Sequence, residues 1–159
     1  MRRTIGVLGL FLLLSWSASA QEVGDIRLQG GGDYRIGFLQ KAGTHVGVEY
    51  FFADMFSIAP TFTVWFPEVG NSTNVNVDLR YYLTRGISQV YIMGGYNNYW
   101  INLQPGDAGL RQTRPGANFG LGAFIRATEQ FGFNTQFSIQ SQNQRAQYLR
   151  VGVVYQFSR

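Results

Sequence analysis

Gln147-Tyr148-Leu149-Arg150-Val151-Gly152-Val153-Val154-Tyr155-Gln156-Phe157 is the stretch that decides the fold. Leu149, Val151, Val153, Tyr155 and Phe157 stand at every second position, and Tyr148, Arg150, Gly152, Val154 and Gln156 lie between them. A strand turns successive side chains to opposite faces, so this segment has one apolar face and one mixed, more polar face. The same period runs back through the chain. Phe131, Phe133, Thr135, Phe137 and Ile139 alternate with Gly132, Asn134, Gln136, Ser138 and Gln140. Val75, Val77, Leu79, Tyr81 and Leu83 alternate with Asn74, Asn76, Asp78, Arg80 and Tyr82.

Turn signals cut the chain into eight such runs: 25–38, 44–52, 55–66, 73–84, 88–101, 115–126, 130–141 and 146–157. Three links are tight, at Ala53-Asp54, Arg85-Gly86-Ile87 and Ala127-Thr128-Glu129. The others, 39–43, 67–72, 102–114 and 142–145, are polar and mostly longer. No helical period of useful length follows residue 20, and no linker or low-complexity block divides the chain. The facing of the run 88–101 stays open, because Tyr91, Met93, Tyr96 and Tyr99 fall on both faces.

Residues 1–20 read as a secretory signal peptide. Arg2 and Arg3 precede a short apolar core, Ile5 to Leu14, and Ala18-Ser19-Ala20 supplies the small residues of a cleavage site. The core is too short to span a bilayer as a helix. Residues 21–159 form the single remaining domain. The formal charge of +4 falls to +2 when Arg2 and Arg3 leave with the signal, so the basic balance carries little meaning. One Lys (Lys41), one His (His45) and no Cys speak against nucleic-acid binding, a disulfide scaffold and a Cys-based metal site.

Alternation alone does not say whether the apolar face meets a protein core or lipid. Volume decides first. The interior of an eight-stranded barrel is just wide enough to be filled by side chains. Phe56, Ile58, Phe62, Phe131, Phe133 and Phe137, with the apolar rows of six more strands, would overfill it. The polar face decides second. Charged residues are 14% of the chain, against about 25–35% expected of a water-facing surface. Gly, Asn, Gln, Ser and Thr dominate that face instead and suit a confined, hydrogen-bonded lumen. The export signal and strand lengths near a membrane span decide third. The fold expected is all-β, an eight-stranded antiparallel up-and-down transmembrane β-barrel in the outer membrane of a Gram-negative-type bacterium, with both termini periplasmic. A soluble sandwich or lipocalin-like barrel is the alternative. Aromatics gather at strand ends: Phe52, Phe56, Tyr81, Tyr82, Phe131, Tyr155 and Phe157 at the short-turn end, Phe38, Trp65, Phe66, Tyr99 and Trp100 at the other. They read as two membrane-interface girdles.

The signal, the eight alternating strands and the terminal Tyr155-Gln156-Phe157 resemble the small OmpA/OmpX-type outer-membrane barrels. The resemblance spans residues 21–159 and implies a non-enzymatic, porin-like architecture with an envelope-structural or surface-contact role. It implies outer-membrane lipid, lipopolysaccharide and the barrel-assembly machinery as partners, beside an unidentified surface or envelope partner, and no cofactor. The family usually ends on the Phe that the assembly machinery reads; here Ser158 and Arg159 follow.

Inward charges are the most informative set. The face assignment points Arg27, Arg35, Arg80, Arg126 and Arg150 into the lumen with Asp33, Glu49 and Asp78. Confined charges must be paired. Strand adjacency offers Arg27, Arg35 or Arg150 to Glu49, and Asp78 shares a face with Arg80 two residues on. The network reads as a plug; a narrow channel or small-ligand site through the polar lumen is the functional alternative. A lipid A-modifying enzyme is the third reading. Some eight-stranded outer-membrane enzymes use His with Ser or Asp, but Val46-Gly47 follows His45 with no Ser two residues on, and no second His exists. His45 is expected at the outer rim, bonded to a loop. Gly30-Gly31-Gly32 lacks the helix and Lys of a phosphate loop and reads as room for a bend or a bulky neighbour. Arg111 and Arg114, in the longest outer loop, are the natural donors to lipopolysaccharide phosphates or a partner. No catalytic, cofactor or metal residue is assigned.

Overall fold

Eight antiparallel strands pair in chain order, and the last closes on the first. They are β1 (Ile26–Ile36), β2 (Lys41–Ala53), β3 (Phe56–Phe66), β4 (Asn71–Tyr82), β5 (Ser88–Asn102), β6 (Arg111–Arg126), β7 (Phe131–Ser141) and β8 (Ala146–Phe157). The computed structural model describes residues 23–36, 41–67, 71–102, 111–141 and 146–157. The signal peptide, Phe38 and Ser158-Arg159 lie outside the described residues.

Cross-strand partners define the stagger. From Ile26 they run through Tyr50, Ile58, Leu79, Gly94, Phe119, Ile139 and Gln147 and return to β1 at Ile36, ten residues further along. Such a shear forces the strands to tilt, in barrels of this kind by about 35–45°. Closure leaves every strand flanked on both sides, which a lipid-embedded sheet requires. Two imperfections sit between β2 and β3: the register shifts by one residue between Phe51 and Ala53, and the ladder is interrupted beside Pro60. Their ladder passes from Gly47–Thr61 to Tyr50–Ile58 across Pro60, which has no N–H to donate.

The exterior is apolar. Val46, Phe62, Leu79, Ile92, Phe119, Leu121, Phe133, Val151 and Val153 are exposed, and each alternates with an inward residue. At the short-turn end Phe52, Phe56 and Tyr81 form a run of ring contacts, and Phe131, Tyr155 and Phe157 form another. The periplasmic girdle is therefore real, with one correction: Tyr82 is buried in the lumen. Trp65 and Tyr99 are also buried inside; of the expected outer set, among the described residues, Phe66 is exposed and Trp100 is half-buried.

Three strand starts lie two or more residues earlier than expected. β2 starts at Lys41 and β4 at Asn71. β6 starts at Arg111, because Arg111 to Arg114 continue the ladder opposite Asn102 to Tyr99. The expected 102–114 loop therefore gives Asn102 and Arg111 to Arg114 to strands, and residues 103–110 lie outside the described residues. β5 keeps one parity throughout: Tyr91, Met93 and Tyr99 face in, and Tyr96 faces out. The first tight turn is Asp54-Met55, where Met55 takes a positive φ of 63°.

Candidate functional site in the polar lumen

Every second residue of each strand projects into the barrel, so the lumen is a stack of inward side chains. From the periplasmic end upward it has five levels. Phe51, Tyr82, Tyr91 and Met93 close the bottom. A carboxylate flanked by two guanidiniums lies on them, an amide and hydroxyl layer follows, and a second ion pair stands toward the outer end. Trp65, Tyr99, Ala146 and Tyr148 close the top.

Glu49 centres the lower cluster. Its carboxylate is 3.2 Å from Arg80 and 3.9 Å from Arg27, and accepts hydrogen bonds from Ser57 Oγ at 2.5 Å and Tyr82 OH at 2.7 Å. Arg27 also donates to Gln89 at 2.9 Å, and its guanidinium stacks 4.1 Å over Phe124 and 4.7 Å over Phe51. Arg80 donates to Gln136 and lies over Tyr91. Burial of these charges is tolerable because Glu49 has two opposite charges and two hydrogen bonds, and each guanidinium has the carboxylate, a hydrogen-bond acceptor and an aromatic face.

Asp33 centres the upper cluster. Arg150 holds it in a two-point fork, both contacts 2.8 Å, and Thr63 donates at 2.9 Å. His45 Nδ1 lies 2.8 Å from Asp33 Oδ1. This corrects the rim placement: β2 begins three residues earlier than expected, which carries His45 down into the lumen, where it is buried. The glycine run explains its seat. Gly31 pairs with His45 on one side and Gly152 on the other. A Cβ on Gly31 would lie 2.1 Å from the Val151 carbonyl oxygen, and one on Gly152 would lie 3.1 Å from His45 Nε2. Gly122 does the same for Tyr91, whose hydroxyl would meet an added Cβ at 2.4 Å.

Of the eight lumen charges expected, Arg27, Glu49, Arg80, Asp33 and Arg150 join these two clusters. Asp78 is buried but accepts from Asn118 at 2.8 Å and does not pair with Arg80. Residues two apart on a strand project side by side, whereas Glu49 reaches Arg80 across the bore. Arg35 and Arg126 are only half-buried, one near Tyr148 at the outer end, the other at the periplasmic end. Neither Arg35 nor Arg150 meets Glu49. Arg114 sits on β6 and donates to Gln112 at 3.0 Å, and Arg111 is the first residue of that strand, so neither belongs to a loop.

The amide-rich inward face expected from the sequence is present, and the structure adds its partners. Gln29 donates to Thr61 and accepts from Asn134; Asn74 donates to Gln140, which donates to Asn76. The alternation of Asn and Gln on the inward parity was the available signal. No group of three or more metal-ligating side chains occurs among the described residues. His45 and Asp33 form an acid–imidazole pair, but Nε2 faces Gly152, where a nucleophile would have to stand. A hollow of about 580 Å³ beside Gly94, walled by Phe52, Phe56, Leu79, Tyr81 and Ile92, is on the exterior, where acyl chains lie.

No family model and no curated protein matches the sequence. Solved structures do. The N-terminal β-barrel domain of Pseudomonas aeruginosa OprF superposes with a TM-score of 0.69 at 21% identity, over 86% of this chain and 100% of that one. The chain folds as a small eight-stranded outer-membrane β-barrel. The outer-membrane protein OprG of Pseudomonas aeruginosa gives 0.68 at 14% identity, over 90% of this chain and all of that one. Neisserial surface protein A gives 0.64 at 14% identity, covering 86% and 98%. The apolar exterior agrees with the transmembrane β-barrel fold that these structures share.

Proposed function

We propose that this barrel is a non-enzymatic outer-membrane protein with an envelope-structural or surface-contact role. One observation carries the reading: the lumen is filled. Aromatic layers close both ends, and the groups between them are engaged with one another rather than arranged around a path. A channel needs an open bore, and a catalyst needs its reactive group to meet substrate. His45, the side chain best suited to general-base work, is 4% exposed.

Two measurements test this. Purified barrel in planar bilayers should give no discrete conductance steps; stable openings that vanish with Glu49→Gln would replace the proposal by a channel. Lipid A from cells overproducing the protein should keep its mass; loss or gain of an acyl chain that depends on His45 would make it a lipid A-modifying enzyme. Deletion then separates the two roles within the proposal. An envelope role gives detergent sensitivity, and a surface-contact role gives altered adhesion with an intact permeability barrier. Arg111 and Arg114, on the outer end of β6, are the basic residues proposed for contact with lipopolysaccharide phosphates. Their replacement by Gln should weaken copurification of lipopolysaccharide.

A further inference from the structure

We infer that the outer half of the lumen binds one resident water molecule, held between Arg150 and Asn74 beneath Trp65 and Tyr148. An enclosed void of about 10 Å³ lies there, with Gln136 and Ser138 also in its wall. That is about the smallest space that holds one water, and a buried water needs two to four polar partners. The wall supplies them. Arg150 Nη1, Asn74 Oδ1, Trp65 Nε1 and Tyr148 OH are all buried without a hydrogen-bond partner among the described residues. Each such group left unsatisfied costs about 1–3 kcal/mol, and buried polar groups are almost always paired with protein or water.

The donor and acceptor types select the ligand. Arg150 Nη1 and Trp65 Nε1 only donate, Asn74 Oδ1 only accepts, and the Tyr148 hydroxyl does either. A small anion would satisfy the donors, but would leave Asn74 Oδ1 unpaired and sit beside the Asp33 carboxylate in the same wall. A cation would face Arg150. Water accepts from Arg150 and donates to Asn74 at once. Its position links the two ion-pair clusters, because Arg150 forks Asp33 while Gln136 accepts from Arg80.

The test is a high-resolution crystal structure of the refolded barrel grown in bromide. One fully occupied peak within hydrogen-bond distance of Arg150 Nη1 and Asn74 Oδ1, without bromide anomalous signal, supports the inference. An anomalous peak there overturns it in favour of an anion site, and an empty void overturns it outright. Asn74→Leu, which removes the acceptor and fills the space, should abolish the peak while the barrel keeps its heat-dependent gel mobility. A peak that survives in Asn74→Leu also overturns the assignment. The wild-type map decides the matter even if that variant does not fold.

Discussion

Replacing Glu49 by Gln should destabilise the barrel by about 3–5 kcal/mol, the range for breaking a buried ion pair from one side. The structure shows why. Glu49 is 3% exposed and lies 3.2 Å from Arg80 and 3.9 Å from Arg27. At an effective dielectric constant near 20, those separations correspond to gross attractions of about 5 and about 4 kcal/mol. Desolvation of three charges offsets much of this in the wild type. The variant keeps the desolvated guanidiniums and loses the charge that balances them. Urea titration in lipid vesicles, followed by fluorescence and by the gel-mobility shift, measures the loss. The double variant Glu49→Gln/Arg80→Met should cost less than the sum of the single changes by about 0.5–3 kcal/mol, because the second change removes a charge the first left unpaired. Asp54 supplies the control. It pairs with Arg85 at the periplasmic rim with both side chains roughly half exposed, so Asp54→Asn should cost at most about 1 kcal/mol. A Glu49→Gln variant within about 0.5 kcal/mol of wild type, or strictly additive costs, would refute the argument that this cluster holds the lumen together.

The lipid-facing assignment predicts that Leu79→Arg and Val151→Arg, near mid-depth, each cost about 2–4 kcal/mol by the same titration; normal assembly of both would mean the faces are inverted. Gly31→Ala puts a methyl group 2.1 Å from a backbone oxygen and should cost about 1–3 kcal/mol, as overpacking does. Its neighbour Gly30 faces lipid with nearest contact 3.5 Å, so Gly30→Ala should stay within about 0.5 kcal/mol of wild type.

Faces were legible in the sequence and partners across the bore were not, for one geometric reason. Parity is a local property: Val75 to Leu83 point out and Asn74 to Tyr82 point in whatever the rest of the chain does. Read strictly, parity also places Trp65 with Thr61 and Thr63, and Tyr99 with Tyr91 and Met93, inside the lumen. Nearness to a strand end points both to the outer girdle, and parity overrides it. Pairing across the lumen is not local. It depends on the ten-residue stagger and the tilt that the stagger imposes, which set the height at which each inward side chain crosses the bore. Glu49 therefore finds Arg80 on β4, two strands away, as well as the adjacent Arg27 that strand order offers, while Arg35 and Arg150, offered equally, do not meet it. His45 shows how sensitive height is to a boundary. Starting β2 at residue 44 leaves His45 at the rim, whereas starting it at Lys41 sinks His45 to the level of Asp33. The glycines then acquire their reason, since the imidazole at that depth needs the space that Gly152 leaves, and Gly31 admits the close approach of the β8 backbone. A bulky inward residue and an inward glycine on a neighbouring strand are thus a linked pair, as Tyr91 with Gly122 repeats. That pairing rule is the one signal in such a sequence that carries register as well as face.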